Sequence, residues 1–188
     1  MSIVAISGSP SANSRSAALL RHVLARFDDG TPRHEIVLRD LPPAALVRAD
    51  FDDPAIRRAR EQVAAARLVL IATPIYKAAY SGLLKTFLDL LPQDALRGKT
   101  VLAIGTGGSV AHLLALDYTL KPVLGAMGAR HVLDTIYAVD AQLAAGEASG
   151  FDVHEDVTQR IDRALADVPF PLRRAASRAD AQPVALAA

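Results

Sequence analysis

The chain alternates short, continuous apolar runs with longer stretches in which apolar residues recur at helical spacing. Residues 3–7 form an apolar run ending in Gly8-Ser9-Pro10, the pattern of a buried strand followed by a loop. Ala18, Leu19, Val23 and Phe27 then follow helical spacing, with Ser14 at the position of an N-cap. Residues 34–38 read as a second strand, and Asp53-Pro54 as an N-cap with proline at N1, opening a helix through Ala66. Residues 68–73 (LVLIAT) predict a strand covered on both faces and ended by Pro74. A helix over 83–91 is stopped by Pro92, and a buried strand over 101–105 is broken at Gly107-Gly108. One long helix is expected over 109–127, a fifth strand over 131–138, a loop over 141–150 and a last amphipathic helix over 151–166.

Strands alternating with helices predict a parallel sheet with helices on both faces. Five such strands suit an α/β, flavodoxin-like three-layer sandwich with a five-stranded parallel sheet of order 2-1-3-4-5. The expected domain covers residues 1–170, and the tail 171–188, without clear periodicity, is expected to be poorly ordered.

Composition narrows the function. The length of 188 residues suits one domain, and 51% hydrophobic with 22% charged residues describes a soluble globular protein. The net charge of +1 gives no strong field for nucleic acid or an anionic membrane, so neither is expected as a partner. The lack of cysteine excludes disulfides, thiolate nucleophiles and Cys-ligated metal centres, and no metal site is expected. The start MSIVAISGSP has no basic n-region, and no apolar stretch reaches the roughly 18 residues of a membrane span. A cytoplasmic location is therefore expected.

In an open parallel sheet, ligands bind beyond the carboxyl ends of the strands. The first such loop, Gly8-Ser9-Pro10-Ser11-Ala12-Asn13-Ser14-Arg15-Ser16, combines four serines and an arginine with a helix N-terminus. Free N–H groups, hydroxyls and a guanidinium suit a phosphate, whereas capping alone accounts for Ser14 and not Arg15. The G-x-G-x-x-G dinucleotide fingerprint is absent there, which favours a mononucleotide, FMN being the usual occupant of this fold. The third-strand loop carries Pro74, Ile75 and Tyr76, an apolar and aromatic wall for a flat ring; Tyr80 reads equally well as a core residue. The fourth-strand loop, Thr106-Gly107-Gly108, lets backbone approach a planar ligand, and His112 either touches that ligand or caps a helix turn. Gly98-Lys99-Thr100 lacks the first glycine of a phosphate loop and precedes a strand, and neither Ser9 nor Ser109 sits in a G-x-S-x-G elbow. Pro122 has no N–H to return to the Tyr118 carbonyl, so the helix must kink or bulge there.

The segments GSP…SRS at 8–16, ATPIYKAAYSGLLKTFLDLLP at 72–92 and TGGSVAHLLALDYTLKPVL at 106–124 together resemble the NAD(P)H-dependent FMN reductase family. The likeness is to the SsuE type, the flavin reductase of two-component alkanesulfonate monooxygenase systems, and runs from residue 3 to residue 139. It implies that Ser9, Ser14, Arg15 and Ser16 hold the FMN phosphate, and that Pro74, Ile75, Tyr76, Thr106, Gly107 and Gly108 frame the ring. Tyr118 would be the tyrosine of a π-helix at a tetramer interface near the flavin, a feature associated with flavin released as product. Family members often carry a basic residue after GSP, where this chain has Ser11, which implies either a weaker hold on the phosphate or one that rests more heavily on Arg15. The implied reaction passes hydride from NADPH to FMN, and reduced flavin leaves for an FMNH2-dependent monooxygenase in sulfonate sulfur assimilation. The implied assembly is a homo-oligomer, dimer or tetramer. Because the flavin carries the hard chemistry, no catalytic acid or base is named. The competing readings are an FMN-retaining quinone or azo reductase, a flavodoxin-type electron carrier, and a nucleotide-binding regulatory module.

Overall fold

The computed structural model describes residues 2–27, 30–146 and 150–169. Strand β1 (Ser2–Ser7) lies between β2 (Arg33–Val37) and β3 (Ala66–Tyr76), parallel to both. A two-residue strand β4 (Ala79–Tyr80) turns back onto the end of β3. On the other side of β3 lies β5 (Thr100–Gly107), followed by β6 (His131–Val132) and β7 (Ile136–Val139), which both pair with β5 in parallel. The path β2-β1-β3-β5-β6 is the expected order 2-1-3-4-5 once the β4 hairpin is set aside.

Continuous apolar strands bury both faces because helices cover both. Ile3, Ala5, Leu68, Leu70, Leu102 and Ile104 pack towards α1 (Arg15–Leu24) and α6 (Glu155–Ala166). The alternate residues Val4, Ile6, Val69, Ile71, Val101 and Ala103 pack towards α2 (Pro43–Arg48), α3 (Pro54–Ala65), α4 (Gly82–Leu88) and α5 (Lys121–Ala126). Each fully buried Leu or Ile contributes roughly 1.5–3 kcal/mol of transfer free energy. Asp53 caps α3 as expected, its Oδ1 accepting from the N–H groups of Ala55 at 2.8 Å and Ile56 at 3.2 Å. Helix α6 is tied to α1 by Arg26 Nε donating to Asp162 Oδ1 at 3.0 Å and by His22 Nε2 against Thr158 Oγ1 at 3.1 Å.

Four expectations are corrected. Pro74 does not end β3, which continues to Tyr76 with Pro74 opposite Thr106 of β5. The Ala72 carbonyl accepts from Gly8 N, so Ala72 and Pro74 both face the β1 side, where the ladder stops at Ser7; the proline's missing N–H costs no strand bond. The single helix over 109–127 is instead a 3-10 turn (Val110–His112), a π-helix (Leu116–Leu120) and α5. Lys121 N–H reaches back five residues to Leu116 O, and Pro122 falls in the first turn of α5, where no donor is needed. The strand over 131–138 is split because the five residues Val132 to Ile136 span the four from Val101 to Ile104, a bulge in the ladder. Within the expected loop and the start of the last helix, β8 (Leu143–Ala145) pairs antiparallel with β9 (Phe151–Val153), and α6 begins only at Glu155. The tail expected from residue 171 lies outside the described residues.

The β3–β4 hairpin turns through Lys77 (φ 52°) and Ala78 (φ 64°), the two left-handed positions of a tight turn that favours Asn-Gly. Left-handed backbone costs an L-residue roughly 1–2 kcal/mol, partly offset by the entropy that glycine loses on folding. The double substitution Lys77→Asn/Ala78→Gly is therefore expected to raise stability by about 1 kcal/mol, read as a higher urea midpoint at unchanged slope. An unchanged or lower midpoint would contradict the turn assignment.

Candidate functional site

Three loops meet at the carboxyl edge of the sheet, and one serine joins two of them. Ser81 caps α4, its Oγ accepting from Leu84 N at 3.1 Å and donating to the Gly8 carbonyl at 2.5 Å. Its own N–H donates to Thr73 Oγ1 at 2.9 Å. The end of β3 and the start of the first loop are thus held by one buried residue. A side chain at position 8 would crowd its neighbours, since a Cβ there would lie 3.0 Å from Leu84 Cβ and 3.1 Å from the Ala72 carbonyl.

The first loop carries three of its four serines inward, with Ser11 exposed. Ser9, Ser14 and Ser16 are buried, with Ser9 Oγ accepting from Ser11 N at 3.2 Å and Ser14 Oγ from Ala17 N at 3.2 Å. Ser14 Oγ also lies 3.0 Å from Ser16 Oγ. The first N–H groups of α1 have no intrahelical acceptor, as at every helix start. At the foot of this loop the Ser7 hydroxyl is buried and has no hydrogen-bond partner within the described fold. This donor set fits a phosphate monoester, as a cluster of carboxylates would not.

Arg15, the first residue of α1, leans towards the end of β7. Its Nη1 lies 3.6 Å from Asp140 Oδ2, and its guanidinium stands 5.5 Å from the centroid of the Phe151 ring. Both ion-pair side chains are nearly half exposed (44% and 47%), so the pair is worth at most about 1 kcal/mol and a stronger anion can displace it. Asp140 Oδ2 also lies 3.9 Å from where a Gly108 Cβ would be, which brings the first and fourth loops together.

Tyr137 shapes the fourth loop. Its hydroxyl donates to Ser109 O at 2.6 Å, and a Cβ on Gly107 would lie only 2.5 Å from that oxygen. Burial, and secondarily the Asp140 charge, push the phenol above its ordinary pKa, so it remains a donor at neutral pH. Burial also raises Tyr80, which packs against the core while Tyr76 is half exposed at the edge. Thr106 and Ile75 are buried, and Gly108 is exposed. His112 is half-buried and closes the 3-10 turn, its N–H donating to Ser109 O at 3.3 Å, so its backbone has the turn role.

Tyr118 sits on the π-helix and is 76% exposed, with Val110, Leu113 and Leu114 also exposed on the segment that leads into it. The π-helix is pinned by Asp117, which accepts from Thr135 Oγ1 at 3.2 Å and pairs with Lys121 Nζ at 2.5 Å. Sequence reasoning brought the serines, Arg15 and the two later loops to one edge, but missed Ser81, Tyr137, Asp140 and Phe151. Ser81 had a legible signal, a serine directly before a helical run; the other three act through tertiary contacts that leave no local pattern. Among the described residues, no cluster of His, Asp or Glu is arranged to hold a metal ion, and no helix is long and apolar enough to cross a membrane.

This loop arrangement belongs to a known lineage. The model of the NADPH-dependent FMN reductase family matches residues 1–144. The chain is 47% identical over 150 residues to an FMN reductase (NADPH) of Pseudomonas putida KT2440, covering 79% of this chain and 76% of that protein. It is 46% identical over 144 residues to an FMN reductase (NADPH) of Escherichia coli K12, covering 76% and 75%. A solved structure of an NADH:FMN oxidoreductase (EMOB) in its apo form superposes with a TM-score of 0.77 at 47% identity, covering 88% of this chain and 86% of that one. From the match over the sheet and all three loops, the chain belongs to the NADPH-dependent FMN reductase family of oxidoreductases.

Proposed function

We propose that this enzyme passes hydride from NADPH to FMN in the cytoplasm and releases the reduced flavin to a separate FMNH2-dependent monooxygenase, in sulfonate sulfur assimilation of the SsuE type. The observation that carries the reading is the convergence of a hydroxyl- and arginine-lined loop with two ring-sized loops at one sheet edge. When bound, FMN supplies the two-electron acceptor: NADPH gives up a hydride, and a solvent proton completes FMNH2. In this reading Ser9, Ser14, Arg15 and Ser16 hold the phosphate. Pro74, Ile75 and Tyr76 form one wall of the ring site, Thr106, Gly107 and Gly108 the other, and His112 lies at its rim. These residues bind and orient, and the rate gain comes from holding donor and acceptor in near-attack geometry rather than from an acid or base.

Relatives of equal identity differ in their nicotinamide nucleotide, the Pseudomonas putida protein being named for NADPH and the EMOB structure for NADH. Both nucleotides therefore belong in the test. Oxidation followed at 340 nm, with FMN titrated into flavin-stripped protein, is expected to rise and saturate with free FMN. Binding of FMN without turnover would overturn the enzyme reading in favour of a carrier or regulatory module. Flavin retained through purification, with ping-pong kinetics, would favour the FMN-retaining quinone or azo reductase.

The π-helix supports an oligomeric role for Tyr118. Val110 (70%), Leu113 (46%), Leu114 (55%), Tyr118 (76%) and Tyr76 (50%) are large apolar or aromatic residues exposed along the same edge, more than scattered surface residues require. In this reading a second copy of the chain covers them beside the flavin, building a dimer or tetramer. Tyr118→Ala is expected to lower the oligomeric mass in sedimentation and to leave flavin bound after purification. Unchanged mass and flavin-free protein would contradict the role.

A further inference from the structure

We infer that Arg39, which belongs to no assigned set of site residues, is a second phosphate-binding cation of the first loop. This inference rests on the FMN reading above. Positions 8–14 contain no lysine or arginine, so any positive charge beyond that of Arg15 reaches this loop from neighbouring elements. Arg39 does so from the β2 side. The ladder between β1 and β2 ends at Ser7 opposite Val37, and the chain turns at once into a short 3-10 segment, Leu38–Asp40. Leu38 is fully buried and anchors that turn, so the neighbouring Arg39 sits beside the loop that leaves β1. Its Nη1 donates to the Ser11 carbonyl at 2.5 Å.

The side chain is 32% exposed, and its Nε lies 3.4 Å from Asp40 Oδ1. A guanidinium has five N–H donors, so these two contacts leave donors for an incoming oxygen. Charge balance points the same way. A phosphate monoester carries about −1.5 to −2 at pH 7. Arg15 is the one cation within the predicted loop, and it is shared with Asp140 and Phe151. Arg15 leans towards β7 at one end of the sheet, while Arg39 comes from β2 at the other. Together they flank the loop, and Arg39 places next to Ser11 the charge that position 11 itself lacks.

The test compares FMN with riboflavin, which lacks the phosphate, by quenching of flavin fluorescence at several salt concentrations. Arg39→Ala is expected to weaken FMN about tenfold, the scale of one charge-assisted hydrogen bond, with riboflavin changed by less than about twofold. It is also expected to flatten the salt dependence of FMN binding. Arg39→Lys should recover part of the loss, keeping the charge without the planar fork. An equal loss for the two flavins with an unchanged salt dependence would show that Arg39 merely braces Ser11, and would overturn the inference. So would no loss for either flavin while Arg15→Ala remains selective for FMN. If neither arginine variant distinguishes the flavins, the phosphate assignment of the whole loop fails instead. Thermal unfolding of each variant verifies that it is folded.

Discussion

The hydroxyl and amide of Ser81 hold the functional edge of this molecule together. Three hydrogen bonds meet at a residue that is 2% exposed, to Gly8 O, Leu84 N and Thr73 Oγ1. They join the turn out of β1, the end of β3 and the start of α4. A buried hydroxyl without partners costs about 1–3 kcal/mol, so the three elements are held to one arrangement by the penalty for separating them. The sheet positions the strand ends, and Ser81 converts two of those ends into one surface.

Around that clamp, close backbone approach does what side chains would obstruct. Gly8 passes against Leu84 and the Ala72 carbonyl, and Gly107 passes against the Tyr137 hydroxyl. Tyr137 in turn fixes Ser109, and Asp140 on the same strand end reaches Arg15. The site is therefore assembled from β1, β3, β5 and β7, with Arg39 approaching from β2. The Arg15–Asp140 pair, nearly half exposed on both sides, is cheap to break in favour of an incoming anion.

Much of this was legible in the sequence for a physical reason. Strands buried on both faces leave continuous apolar runs, and Asp53-Pro54 announces a helix start through local chemistry; both survived into the structure. The segment 109–127 misled because Val110, Leu113, Leu114 and Tyr118 are spaced as a helix face yet point to solvent. The buried face is Leu116, Leu120 and Leu124, and the backbone follows π geometry over Leu116–Leu120 before Pro122 enters the first turn of α5. Pro122, four residues after Tyr118, announces the irregularity in the sequence, but not the division of the segment into three pieces. β8 and β9 are three residues each, too short for period-two alternation to differ from a helix start, and the side of β3 on which Pro74 leaves no bond depends on where the β1 ladder ends, which no local pattern shows.

A second cleft, of ~620 Å³, lies near the amino end of the sheet between α3 and residues 91–99, and carries Arg57, Arg60, Arg97 and Lys99. It gives the central claim a rival address on the same molecule. The most direct measurement is a crystal structure of the FMN complex. The phosphate is expected within hydrogen-bond reach of Ser9, Ser14, Arg15 and Ser16, and the ring between residues 74–76 and 106–108. A phosphate bound at Arg57 and Arg97, with the carboxyl-edge loops empty, would contradict it.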